Sequence, residues 1–100
     1  MYICFAEYRI AEESRLPFLE LTNKLLQHEK DMYLYEGTDQ PNLFVEVWHA
    51  ATSAEAEQIK KERCSERSSW SQVSSYIVGG QAKLHVWTFK SVYPKKPDCG

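Results

Sequence analysis

Four stretches of the chain alternate apolar and polar residues with the period of two of a strand, and one long stretch carries apolar residues at helical spacing. Tyr2 to Ile10 sets Ile3, Phe5, Glu7 and Arg9 on one face and Tyr2, Cys4, Ala6 and Tyr8 on the other, which predicts a first strand. Ser14 then opens a helix that tolerates Pro17 in its first turn and runs on Leu16, Phe18, Leu19, Leu21, Leu25 and Leu26 to about Glu29. Met32 to Glu36 predicts a second strand and Leu43 to Ala50 a third, joined into a hairpin by the turn-rich Gly37-Thr38-Asp39-Gln40-Pro41-Asn42. Thr52 and Glu55 have the spacing of a capping box and start a second helix, predicted to reach about Ser68. Six of the eleven residues from Ser65 to Ser75 are serine, so an irregular segment carrying Trp70 and Val73 is expected there. After Gly79-Gly80, Lys83 to Phe89 predicts a fourth strand.

The order β-α-β-β-α-β is the ferredoxin-like arrangement, an α+β fold with an antiparallel sheet. One domain over residues 1–92 and a loose polar tail over 93–100 are expected. Two helices cover one face of a four-stranded sheet. The smooth sets Leu43, Val45, Val47, with Leu84, Val86 and with Cys4, Ala6, are read as that covered face. The opposite face then shows Phe5, Phe44, Trp48, Trp87 and Phe89, several hundred Å² of apolar surface at roughly 150–250 Å² per buried aromatic. Monomers rarely leave so large a patch wet. A second copy packed sheet to sheet, a homodimeric barrel, is the expected solution.

Composition narrows the function classes. Twelve basic and fourteen acidic residues give a formal charge of −2, which excludes a strong generic pull on nucleic acid or anionic lipid. Hydrophobic residues are 43% of the chain, yet no apolar run is long enough for a membrane span, and Met1 to Phe5 lacks the marks of a secretory leader. Cys4, Cys64 and Cys99 are odd in number and far apart, which excludes a disulfide framework and points to a reducing, cytoplasmic setting. Cys4 lies in an apolar run and is expected to be buried. The histidines His28, His49 and His85 have no ligand spacing, so no metal is expected, and Gly79-Gly80 precedes a strand rather than a helix, so no phosphate loop is expected. The charges of residues 55–67 interleave and cancel, the pattern of a solvated helix face.

The candidate chemistry lies in the strands. Glu7, Arg9, Glu46 and His85 fall on the same alternation sets as the aromatics, and buried charge is costly unless paired. Arg9 with Glu7 or Glu46, and His85 with a carboxylate, are the pairings expected. Two readings stand side by side. In one, these groups form an interface network that fixes register. In the other they line a ligand pocket, with His85 as acid, base or ligand contact, Arg9 on an anionic or carbonyl group, and Trp48, Trp70 and Trp87 as aromatic surroundings.

The stretch Phe44-Val45-Glu46-Val47-Trp48, followed by a helix capped at Thr52 or Ser53, resembles the dimeric α/β-barrel superfamily, and within it the short antibiotic-biosynthesis-monooxygenase-like proteins. The resemblance covers roughly Met1 to Phe89. It implies two sheets around a central barrel and a ligand cavity between each sheet and its helices or loops. It also implies either an oxidoreductase of the monooxygenase type, working without a cofactor on an aromatic or quinone-like compound, or a non-catalytic dimeric module whose barrel is filled by its own side chains. The haem-degrading branch places an iron-ligating histidine in helix two. Residues 52–68 of this chain hold none, which argues against haem. The monooxygenases rely on Asn, Trp and Tyr side chains. Trp70, Trp48 and Tyr8 are available, but where the family has a strand-one Asn this chain has Tyr8 or Arg9.

Overall fold

The computed structural model describes residues 1–93. The element order is β1 (Tyr2–Arg9), α1 (Arg15–Leu26), β2 (Met32–Glu36), β3 (Leu43–Ala50), α2 (Ser53–Arg63) and β4 (His85–Lys90), with 3-10 segments at Glu12–Ser14, Ser69–Tyr76 and Gly80–Lys83. The strands form one antiparallel sheet in the order β2-β3-β1-β4, the ferredoxin-like order with β1 and β3 central. The expected tail falls mostly on residues 94–100, outside the described residues.

Each boundary has a local cause. Pro17 sits in the first turn of α1, where its missing N–H has no helical partner to lose. The β2–β3 hairpin closes through Asn42, which adopts a left-handed φ of 70°, a conformation Asn accepts more readily than most residues. Thr52 caps α2 by accepting the Glu55 N–H at 3.1 Å, and Glu55 Oε2 accepts the Ala51 N–H at 2.9 Å. The helix ends at Arg63, five residues before the expected end at Ser68. The serine-rich stretch then turns into the 3-10 segment Ser69–Tyr76, whose end is tied to β1 by an Ile10–Ile77 bridge and by Val78 N–H donating to Arg9 C=O at 2.8 Å. Lys83 belongs to the preceding 3-10 turn, so β4 starts two residues late.

The strand register assigns the faces. Cys4 stands opposite Trp48, Ala6 opposite Glu46 and Tyr8 opposite Phe44, so all six side chains point toward the helices. There they build the core with Ile10, Phe18, Leu25, Met32, Trp70, Val73 and Ile77. This corrects the expected faces of β3. Phe44, Glu46 and Trp48 were expected on the open face and lie under the helices, and Leu43, Val45 and Val47 do the reverse. Both sets of β3 are apolar, so alternation within that strand defines two faces without ranking them. For β1 and β4 the expectation holds: Phe5, Trp87 and Phe89 share the open face. Phe5 lies 6.1 Å from Trp87 and 6.0 Å from Phe89 between ring centroids.

Candidate functional site

Glu46 is the centre of a buried polar cluster beneath α2. The residue has no accessible surface, and its carboxylate receives four hydrogen bonds. Tyr8 Oη donates to Oε2 at 2.5 Å and Trp48 Nε1 to Oε1 at 2.9 Å. Arg63 donates from Nε to Oε1 at 2.7 Å and from Nη2 to Oε2 at 2.8 Å, a bidentate charge-assisted pair. A carboxylate has about four acceptor positions, so this one is filled by protein donors. The guanidinium lies 5.7 Å from the Trp70 ring centroid and 6.0 Å from that of Tyr8, within cation–π range of both.

The protonation states follow from burial and neighbours. Burial pushes the Tyr8 phenol well above its usual range and the adjacent Glu46 charge pushes it further, so Tyr8 remains a donor. Burial works against the Arg63 charge, but the hydrogen bonds and charge of Glu46 outweigh it and the guanidinium is held protonated. Arg63 Nη1 is buried and has no hydrogen-bond partner among the described residues.

A cavity of about 560 Å³ opens beside this cluster, at the end of β3 and between α2 and the 3-10 segment. Trp48 and Trp70 form one wall, edge to face at 5.3 Å between ring centroids. Arg63, Glu62 and Ile59 line it from α2, and Glu29 and Asp31 from the α1–β2 connection. Trp70 Nε1 donates to Glu29 Oε2 at 3.2 Å and so ties the 3-10 segment to the end of α1. The volume lies within the roughly 300–1,000 Å³ usual for small-molecule pockets.

The six residues singled out from the sequence divide between the two sides of the sheet. Trp48 and Trp70 come together at the cavity, and Glu46 lies in the buried cluster beside it. His85 and Trp87 lie on the open face, stacked on each other at 5.7 Å between ring centroids, with His85 opposite Glu7 in the register. Arg9 is exposed at the end of the central strand β1 and reaches Pro41 C=O and Gln40 Oε1 at 3.4 and 3.5 Å. The expected Arg9–Glu46 pair is therefore not formed, because the two side chains point to opposite faces. Arg63 is its replacement. It belongs to the stretch expected to be solvated, yet it is 2% exposed. The signal was present in the spacing: Ala56, Ile59 and Arg63 lie three and four residues apart, on one helical stripe. Cys4 is fully buried as expected, and burial is the main cause that pushes its thiol up to about 12, which leaves it unreactive. Among the described residues no group of three or more His, Cys, Asp or Glu is placed to hold a metal ion, and no helix is long and apolar enough to cross a membrane.

No family model matches the sequence, and no curated protein is similar to it. Solved structures do match. One of an antibiotic biosynthesis monooxygenase is 17% identical, with a TM-score of 0.67 over 93% of this chain and 100% of its own. A candidate antibiotic biosynthesis monooxygenase from Deinococcus radiodurans is 12% identical, with a TM-score of 0.68 over 96% of this chain and 97% of its own. Another, from Nitrosomonas europaea, is 15% identical, with a TM-score of 0.65 over 93% of this chain and 100% of its own. The chain thus has an α+β ferredoxin-like fold of the antibiotic-biosynthesis-monooxygenase type. At these identities the likeness concerns the fold.

Proposed function

We propose that the protein binds a small aromatic molecule in the cavity walled by Trp48 and Trp70, as a homodimer in the cytoplasm. The observation that carries this reading is the juxtaposition of a ligand-sized space, a wall of two tryptophans and a buried guanidinium whose Nη1 has no partner among the described residues. Oxidation of the bound compound is the enzymatic form of the same reading, supported by the names of the structural neighbours. His85, Arg9 and Trp87 have no part in this cavity. Their place on the open face, with Phe89 51% and Trp87 44% exposed, supports a role in pairing two sheets. Among the described residues Cys4, buried, and Cys64, exposed, form no disulfide, which supports a reducing compartment.

The alternative of a non-catalytic module draws on a separate observation. The space directly beneath α2 is filled by Glu46, Arg63 and Tyr8 rather than open, and the cavity lies to the side of it. Native mass spectrometry of freshly purified protein tests both readings. A dimer carrying a co-purifying small molecule, with oxygen uptake when that molecule is supplied in excess, supports the enzyme. A dimer that carries and binds no ligand supports the module.

A further inference from the structure

The polarity of the cavity constrains its ligand more closely than its aromatic walls do, and the constraint rests on the small-molecule reading above. Two facts set it. Arg63 lines the space and has one buried amino group, Nη1 with its two N–H donors, without a partner among the described residues. A buried donor left unsatisfied is costly, so an acceptor oxygen placed against it gains more than the same oxygen would at a wet surface. Yet the charge on Arg63 is already neutralised by Glu46 through two hydrogen bonds. What remains around the space is three carboxylates, Glu29, Asp31 and Glu62, against the single cation Arg67. The local balance is negative, although an arginine stands in the wall. Such a site repels a carboxylate or phosphate and favours groups that donate hydrogen bonds or carry positive charge.

We propose that the cavity selects a flat, neutral or cationic molecule that has a carbonyl or similar acceptor oxygen at one end, held by Arg63 Nη1, and an amine or hydroxyl donor at the other, facing Glu29, Asp31 and Glu62. Aromatic anions are rejected. Glu29 has one oxygen engaged by Trp70 and Glu62 one engaged by Gln58, which leaves acceptor capacity on both for such a donor.

Calorimetric titration of the full chain with three probes tests this. 4-(Aminomethyl)benzamide carries a protonated amine and a carbonyl, benzylamine the amine alone, and benzoate an anion. The expected order of affinity is the amide first, benzylamine second and benzoate last, with a gap of roughly tenfold or more between the amide and benzoate. Arg63→Lys keeps a cation beside Glu46 but removes Nη1. It is expected to bring the amide down to the affinity of benzylamine while leaving benzylamine unchanged. Glu62→Gln lies at an exposed helix position and folds irrespective of the buried cluster. It is expected to weaken both amines several-fold without weakening benzoate, and it decides the matter if Arg63→Lys proves unstable by circular dichroism. Benzoate binding as tightly as the amide, or amines indifferent to Glu62→Gln, overturns the inference. If none of the three binds while the neutral probe 2-naphthol does, the polarity inference fails alone; if 2-naphthol also fails, the small-molecule reading falls with it.

Discussion

Glu46 shows how one residue couples the sheet to both the second helix and the cavity wall. Its four hydrogen bonds reach Tyr8 on β1, Trp48 on its own strand and Arg63 on α2. Glu46→Leu leaves the guanidinium buried and unpaired, so unfolding in denaturant is expected to show a loss of about 3–5 kcal/mol. The double change Glu46→Leu with Arg63→Met removes both charges, and most of that loss is expected to return; a double variant no more stable than the single one contradicts the pairing. A second ion pair has a different character. Arg15 bonds Glu36 through both Nη groups, and Glu36 Oε2 also accepts the Asn42 N–H at 2.8 Å. The Arg15 hydrogen bond, seconded by Asn42, lowers the Glu36 carboxyl from 4.5 to about 2. A depressed carboxyl contributes stability above its unfolded value, and that contribution disappears as pH falls from about 4.5 to about 2. The pair is partly exposed, so solvent screening keeps its contribution small. Denaturation midpoints of Glu36→Gln and the unchanged chain are therefore expected to differ at pH 6 and to converge near pH 2; a gap constant with pH contradicts this.

At the scale of elements, the sequence defines β2 and β3 to the residue, because turn residues bracket both. It is less informative on α2. Glu62, Cys64, Ser65 and Glu66 have no feature that ends a helix sharply, so the end at Arg63 is set by tertiary structure, where the chain turns to lay Trp70 over the buried cluster. The face of β3 was illegible for a related reason. Phe44 and Trp48 flank a glutamate, and a glutamate reads as the solvent side unless its cation is known. That cation comes from a helix whose other charges are solvated, so the candidate cavity was visible only in its aromatics, Trp48 and Trp70. The start of α2, by contrast, was legible in Thr52 and Glu55. Thr52→Ala removes the acceptor of the Glu55 N–H, and thermal or chemical unfolding is expected to show a cost of about 1 kcal/mol. No change in stability is expected to follow only if Glu55 and the Ala51 N–H hold the helix start unaided.

At the scale of the molecule, the two sides of the sheet are given to different tasks. The helix side holds the core and the cavity. The open side displays Tyr33, Tyr35, Trp87 and Phe89, each close to half exposed, around Phe5 and Val47. On the dimer reading, sedimentation is expected to give twice the 11.7 kDa chain mass, and Phe89→Glu to give a folded monomer with the cavity undisturbed. A unit-mass species for the unchanged chain contradicts that reading. The central claim, that the ligand site is the Trp48–Trp70 cavity rather than the open face, has a direct readout, because the chain has three tryptophans and they divide between the two sides. The indole N–H signals in a ¹H–¹⁵N correlation spectrum, followed as 2-naphthol is added, report on all three at once. Saturable shifts of Trp48 and Trp70 with Trp87 unmoved are expected; shifts of Trp87 with the other two stationary would contradict a ligand site in the cavity.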